Sequence, residues 1–180
     1  MYDATFKIFI FGDPECVKNI LPQRFLTNTF VPDTKMTIGV DFEIKSLSVD
    51  NNMVKLQLWT LSEEKRFRFF LPQYFRDTKG VMFVYDIINY STLAHIDDWL
   101  AVLRKEIKSE DRFPIILVGM RADMAEGREV STEEGIRFAK SRGFDEFIEC
   151  SANTGENVKE AFEALTRLML ANSQDFKISY

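Results

Sequence analysis

The chain has 180 residues, of which 46% are hydrophobic and 28% charged, a balance typical of a globular domain with a sizeable core and not of a disordered or fibrous chain. Its net charge is −5 and it has no basic block, which excludes the electrostatic footprint of a nucleic-acid-binding protein. Two cysteines, Cys16 and Cys150, are too few for a disulfide framework and favour a reducing cytoplasmic compartment, and a single histidine, His95, leaves no multi-histidine metal site.

The first part of the chain predicts three strands and one helix. Residues 6–11 form an almost continuous apolar run that ends at Gly12, which predicts a buried strand. Residues 18–27 have the apolar spacing of a short helix, and because proline is accepted only in a first helical turn, Pro22 predicts a start at about Leu21. Alternation over residues 40–49 and 54–59 predicts an antiparallel hairpin that turns at Asn51 and Asn52.

The second part predicts three more strands, at residues 81–88, 114–119 and 144–150, each separated from the next by a helix. Ser91 or Thr92 caps the first of these helices, which carries His95 on its surface, and a capping box at residues 131–134 opens a helix through Lys140. The last helix covers residues 158–171. The inward faces of the first and last of these helices are formed by Leu93, Ile96, Trp99, Leu100 and Leu103, and by Val158, Phe162, Leu165 and Met169.

This order of elements predicts an α/β fold in one domain over residues 1–180, with a core at residues 5–171 and a short C-terminal tail at residues 172–180. We expect a six-stranded, mostly parallel sheet with one antiparallel edge strand and helices on both faces. The N-terminal apolar run is too short for a signal peptide or a membrane span, and the last residues contain no cysteine for prenylation, so we expect no intrinsic membrane anchor.

Several short stretches carry a family resemblance. They are TIGVDF at residues 37–42, LQLW at 56–59 with RFR at 66–68, VYDI at 84–87 with DDWL at 97–100, and ECSA at 149–152 with TGENV at 154–158. In this order, over residues 5–171, the chain resembles the small GTPases of the Ras superfamily, especially the Rab branch. The resemblance implies a G domain of the P-loop NTPase type, with four motifs that bind guanine nucleotide and magnesium.

The resemblance implies a phosphate loop of the form Gly-x-x-x-x-Gly-Lys-Ser/Thr, where this chain has GDPECVKN at residues 12–19. Gly12 and Lys18 match it. Val17 replaces the second glycine at a position that favours positive φ, and Pro14 removes an N–H donor. Asn19 replaces the hydroxyl ligand of magnesium, so Asn19 and the first-switch residue Thr37 are the candidate metal ligands and also candidate nucleotide contacts.

In the second switch the family has Trp-Asp-x-Ala-Gly-Gln/Glu, and this chain has WTLSEE at residues 59–64. Thr60 replaces the aspartate that holds the water shell of magnesium, and Glu63 replaces the glycine that meets the γ-phosphate. Glu64 occupies the water-positioning site, but a carboxylate cannot donate a hydrogen bond as an amide does, so we assign no catalytic residue. We expect Lys18 to pair with Glu63, Glu64 or Asp13 in place of a bound phosphate.

The base-binding motifs are better preserved. For the family pattern Asn-Lys-x-Asp this chain has MRAD at residues 120–123, and Ser151-Ala152-Asn153 departs from the family's last loop only at its third position. The resemblance implies that Asp123 accepts two hydrogen bonds from guanine and that Arg121 stacks on the base, while Met120 cannot make the bracing hydrogen bonds of the asparagine.

Phe42, Trp59 and Tyr74 occupy the positions of the aromatic triad through which Rab-like proteins bind effectors, and they predict a surface for a protein effector or assembly partner. Our first hypothesis is a pseudo-GTPase interaction module that requires no cofactor and lacks efficient hydrolysis. The alternative is an atypical GTP/GDP-binding switch with magnesium and slow hydrolysis. A third is a purine-ligand binder without magnesium. Whether the chain is an enzyme stays open at this stage.

Overall fold

The computed structural model describes residues 1–13, 19–32, 39–61, 69–107 and 112–178. Within them, six strands form one sheet in the order β2-β3-β1-β4-β5-β6, with β2 and β6 at its edges. β2 pairs antiparallel with β3, and all other pairs are parallel, as predicted. The strands are β1 (Ala4–Phe11), β2 (Val40–Val49), β3 (Asn52–Leu61), β4 (Thr78–Asp86), β5 (Ile115–Met120) and β6 (Glu146–Cys150).

Helices cover both faces of the sheet. Within the described residues they are α1 (Ile20–Thr27), α2 (Leu71–Phe75), α3 (Tyr90–Ala94), α4 (Ile96–Glu106), α5 (Thr132–Ser141) and α6 (Val158–Ile178). Apolar side chains of α1 and α6 pack on one face, and those of α2, α3, α4 and α5 pack on the other. Every residue predicted for the two inward helix faces is buried. No helix in the described residues is long and apolar enough to cross a lipid bilayer.

The first helix begins at Ile20, one residue before the predicted start, with Asn19 at the N-cap position. Pro22 lies in the first turn, where a missing backbone N–H costs no helical hydrogen bond. At its other end the helix stops at Asn28, whose left-handed backbone (φ 56°, ψ 20°) closes the last turn by donating to the carbonyl of Arg24. The late start predicted from Pro22 is therefore confirmed.

Several predicted boundaries are wrong. The strand predicted at residues 81–88 covers Thr78–Asp86, and the single helix predicted after Ser91 is divided at His95 into α3 and α4. The hairpin turns at Asp50 and Asn51, which have φ of 49° and 64°. Asn52 is already the first residue of β3, and its side-chain amide donates to the carbonyl of Asp50. Asn89 caps α3, since its side chain accepts from the N–H of Ser91. The last helix continues beyond residue 171 to Ile178, into the predicted tail.

Candidate functional site

A cleft of about 330 Å³ lies at the carboxyl ends of β5 and β6, where open α/β sheets commonly bind ligands. Its walls are mostly apolar and its polar groups come from the loops that follow these two strands, a composition typical of small-molecule sites. The lining residues are Ile20, Phe30, Pro32, Met120, Arg121, Asp123, Met124, Ala152 and Asn153.

Asp123 is held in the cleft from two sides. Its Oδ1 accepts a hydrogen bond from Ser151 Oγ at 2.6 Å, and its Oδ2 accepts one from Asn153 Nδ2 at 3.1 Å. Burial acts to raise the pKa of Asp123, but the hydrogen bonds from Ser151 and Asn153 outweigh it and leave that pKa below its ordinary value. The group is therefore a carboxylate at neutral pH, and each oxygen keeps a lone pair for a ligand N–H.

Arg121 forms one wall of the cleft, and one end of its guanidinium is anchored to the end of β4. The Nη1 of Arg121 donates to Asp86 Oδ2 at 2.8 Å, and the side chain of Asp86 is only 1% exposed. Burial raises the pKa of Asp86, against the opposing effects of the Ile88 N–H and of Arg121. This pair fixes the orientation of the guanidinium, and stacking of Arg121 on a base stays a prediction.

The loop after β6 is braced by its own residues. The buried hydroxyl of Ser151 donates to Asp123 and also accepts from the N–H of Thr154 at 3.1 Å. Asn157 Nδ2 donates to the carbonyl of Glu149 at 2.9 Å. Met120 is buried and lines the cleft without a hydrogen-bonding side-chain group. Ser151 therefore holds Asp123 in place through a contact that does not need Met120.

The predicted phosphate and metal end is formed by Gly12 and Asp13 after β1, Asn19 before α1, and Thr60 on β3. Asp13 Oδ2 lies 2.5 Å from Nδ1 of His95, which joins α3 to α4 with its side chain 54% exposed. Thr60 is 5% exposed and pairs with Ile10 of β1 and Asp41 of β2. The predicted site residues Lys18, Thr37 and Glu64, and the expected pairing of Lys18, lie outside the described residues.

Comparison with known proteins places this architecture in a family. The Ras family model matches residues 7–171. The Ras-related protein Rab-18-B of Danio rerio is 38% identical over 167 residues, which cover 93% of this chain and 80% of that protein. The Ras-related protein Rab-1 of Theileria parva is 37% identical over 169 residues, covering 93% of this chain and 76% of that protein. The chain belongs to the Ras family and is Rab-like.

Guanine nucleotide and magnesium are the ligands implied for a Rab-like domain, and the two ends of its site fit them differently. The base end fits, because the Asp123 carboxylate faces a cleft with apolar walls. At the magnesium end, the two described residues that stand at the family's metal positions, Asn19 and Thr60, offer no carboxylate, and the nearby carboxylate of Asp13 is paired with His95. The described ranges also contain no group of three or more histidine, cysteine or acidic residues placed to hold a metal ion.

The aromatic triad of the Rab-like domain is assembled as one surface. Phe42 on β2 lies opposite Trp59 on β3 in the sheet register, with ring centroids 4.8 Å apart, and Trp59 lies 6.0 Å from the ring of Tyr74 on α2. Phe42 is exposed, and Trp59 and Tyr74 are half-buried. Of the nearby phenylalanines that are described, Phe69 and Phe70 are exposed whereas Phe75 belongs to the core.

Lys7, which no family motif includes, links two members of this surface. Its ammonium lies 4.4 Å from the ring centroid of Trp59 and donates to the carbonyls of Tyr74 and Arg76 at the end of α2. Burial lowers the pKa of Lys7, partly opposed by Asp77. The sequence does indicate a contact at Lys7, because it is a lone charge in the apolar run of β1 and a charge within a buried strand needs a partner.

Proposed function

We propose that this Rab-like domain is a pseudo-GTPase interaction module in the cytoplasm, with weak or no GTP binding and no efficient hydrolysis. The observation that supports it is Thr60. A short neutral side chain, 5% exposed and enclosed between β1 and β2, stands where the family resemblance puts the aspartate of the magnesium shell. A threonine hydroxyl brings no negative charge to a divalent cation, so this position contributes no carboxylate to a magnesium site.

A protein effector or assembly partner is proposed to bind at Phe42, Trp59 and Tyr74. The contacts that join these rings are internal to the domain: ring packing between neighbouring strands, and the bonds from Lys7 to the end of α2. In a nucleotide switch, the γ-phosphate orders the switch segments and hydrolysis releases them. A surface fixed by Lys7 needs no such ligand, so we infer that partner binding is constitutive.

The nucleotide part of the proposal is tested by titrating the nucleotide-free full chain with GTP in the presence of magnesium, using calorimetry. We expect a dissociation constant above micromolar, because the substitutions at Val17, Asn19, Thr60 and Glu63 all fall on the phosphate and metal end. The same titration after magnesium is chelated serves as the control. A sub-micromolar dissociation constant that depends on magnesium would overturn the proposal.

The partner part is tested by an interaction assay with wild type, Trp59→Ala and Phe42→Ala, each with and without GTP. We expect a partner retained by wild type to be lost from both variants in both conditions. Tyr90→Ala removes an exposed aromatic side chain from α3 and is the matched control, which should retain the partner. Binding that requires GTP would contradict a constitutive surface.

A second candidate function is an atypical GTP/GDP-binding switch with magnesium and slow hydrolysis. The base cleft favours it, because the Asp123 carboxylate, the apolar walls and the braced loop together suit a guanine base. The third hypothesis, a purine-ligand binder without magnesium, would use the same cleft alone. Nucleotide quantified after denaturing the purified protein tests the switch: stoichiometric GDP or GTP supports it, and its absence supports the pseudo-GTPase or the purine-ligand binder.

A further inference from the structure

A groove of about 490 Å³ lies between α1, β2 and the start of α6, away from the base cleft. Cationic side chains from all three elements line it, together with Phe25, Asn28, Leu47 and Val158 and the serines at positions 46 and 48 of the edge strand. The lining residues that carry the argument are Arg24, Lys45, Ser48, Gly155 and Lys159. Among the described residues that line it, none is acidic, in a chain whose net charge is −5.

Arg24 is the cation that α1 contributes to this groove. In the part of the chain that the structure describes, its guanidinium has neither a hydrogen-bond nor an ion-pair partner, and its Nε is buried from solvent. It is pressed against Gly155, where φ is +86° and a Cβ would lie only 2.5 Å from Nη2. The buried Nε is closed to a ligand in the groove, so a bound anion would pair with the η-nitrogens of the Arg24 guanidinium, which has no counter-ion in the described part of the domain.

The other two cations are already partly engaged. Lys45 donates to the carbonyl of Leu26 at 3.0 Å and lies 5.7 Å from the ring centroid of Phe25. Lys159 pairs with Glu163 at 3.1 Å, four residues further along α6. The groove thus has one planar guanidinium without a counter-ion, flanked by two lysines that already have partners. This arrangement suits a carboxylate, which accepts two parallel hydrogen bonds from an arginine.

The groove lies on the opposite face of the sheet from the aromatic triad. Side chains alternate along a strand, and Lys45 is three residues from Phe42 on β2. Leu47, which is on the same face as Lys45, packs with Phe25 and Phe162 of α1 and α6, whereas Trp59 packs with the core of the other face. The groove runs along residues 45–48 of an edge strand, which gives it the length of a short extended peptide.

We propose that this groove is a second interaction site, which binds an acidic segment of a protein partner through a carboxylate on Arg24. Lys45 and Lys159 attract further acidic side chains of the same segment. The site is independent of the guanine cleft and of the aromatic triad, so its occupancy does not depend on the function proposed above.

The test is an NMR titration of the isotope-labelled full chain with a capped tetraglutamate peptide at low ionic strength. We expect shifts at the Arg24 Nε–H and at the backbone of residues 45–48 and 155–159, and no shifts with a tetraglutamine peptide. Arg24→Gln should weaken binding at least tenfold. Arg137→Gln removes an exposed arginine from α5 and should leave the affinity unchanged.

A second variant of Arg24 and a competition with phosphate test the proposal further. Arg24→Lys retains the charge without the planar fork and should bind several-fold more weakly than wild type, which gives an answer even if Arg24→Gln does not fold. Inorganic phosphate should compete only at concentrations well above those of the peptide. Equal peptide affinity in wild type and both Arg24 variants would overturn the proposal, and so would phosphate that binds more tightly than the peptide.

Discussion

The two ends of the nucleotide site differ in what their residues do for the fold. At the base end, Ser151 and Asp86 are buried and hold other residues of the domain, namely Asp123 and Arg121. At the phosphate and metal end, the family's glycines, hydroxyl and aspartate serve chiefly the ligand, and this chain has Val17, Asn19, Thr60 and Glu63 in their place.

This difference teaches that a retained motif residue is not by itself a sign of ligand binding. Ser151 would be needed to brace the loop after β6 whether or not guanine ever occupies the cleft, because its hydroxyl has two internal partners. A residue with only the ligand as partner has no such reason to stay. The base end thus contains family residues that hold other parts of the domain, whereas the phosphate end carries the substitutions, and both ends can be tested.

The largest expected effect is on stability at the base end. Arg121→Met removes the cation beside Asp86, and leaving a buried carboxylate unpaired typically costs about 3 kcal/mol of unfolding free energy. Urea unfolding at pH 7 measures this cost. Arg137→Met, at an exposed position on α5, should change the unfolding free energy by less than about 0.5 kcal/mol. A similar small change for Arg121→Met would show that the base end has no structural role.

The pH dependence of that variant has a definite sign. Burial already raises the pKa of Asp86 in the folded state, and loss of Arg121 raises it further above the unfolded value. The folded state then binds more protons than the unfolded state, so the cost of the substitution is greatest at neutral pH and shrinks as pH falls through the folded pKa of Asp86. Unfolding curves of wild type and variant from pH 7 to pH 4 should therefore converge. A gap that widens with falling pH would be evidence against this assignment.

The next effect is on the affinity for the base. Asp123→Asn replaces an acceptor-only carboxylate by an amide, and loss of a hydrogen bond to a charged group typically costs about 1.5–3 kcal/mol. We expect GDP affinity to fall about 10- to 100-fold, and the affinity for inosine nucleotides, which lack the exocyclic amine, to fall less. Met124→Ala alters the apolar wall of the same cleft and serves as the control for general damage. Unchanged GDP affinity in Asp123→Asn would mean that the cleft does not bind guanine.

A smaller effect is expected from magnesium. If the metal end lacks its carboxylate, chelation of magnesium should change the GDP affinity by less than about threefold, since Asn19 and Thr60 are neutral. Competition of a fluorescent GDP analogue with and without chelator measures the ratio. A tenfold or larger loss on chelation would place a working magnesium site in the chain and remove the contrast between the two ends.

No effect is expected from repair of a single catalytic position. Glu64→Gln restores the family's amide, but the other substitutions of the same end remain, and parts that act as a unit are not additive. Phosphate release under multiple-turnover conditions should stay at the background of wild type. Measurable turnover in this single variant would show that the rest of the phosphate end is functional.

The fold was predictable because its signals are local. The alternation in β2 gave the strand at residues 40–49, and the capping box at Ser131 and Glu134 is present with both of its hydrogen bonds. Errors arose where neighbouring residues are equally suited to a role. Asp50, Asn51 and Asn52 all tolerate a turn, and Asn89, Ser91 and Thr92 all cap helices, so only tertiary contacts such as Thr92 Oγ1 with the N–H of Asp86 decide between them.

Residues of the site could be predicted from the sequence only where a family motif includes them. The contact of Ser151 with Asp123 joins two motifs that the resemblance already implied. The pairs Arg121–Asp86, Lys7–Tyr74 and His95–Asp13 join residues 35, 67 and 82 positions apart, and no local pattern links their members. Such pairs form because particular strands and helices are neighbours in the fold. The sequence alone does not give these neighbours, whereas the order of the strands in the sheet does.

The edge position of β2 also bears on how the protein behaves when concentrated. In the part of the chain that the structure describes, one side of this ten-residue strand has no neighbouring strand, and an unpaired backbone edge of that length is a template for fibril-like stacking. Asp41, Glu43 and Lys45 recur at alternate positions along it. In a parallel in-register stack, each of these charges would meet its own copy about 4.8 Å away, so the repulsion within every ladder opposes aggregation through this edge.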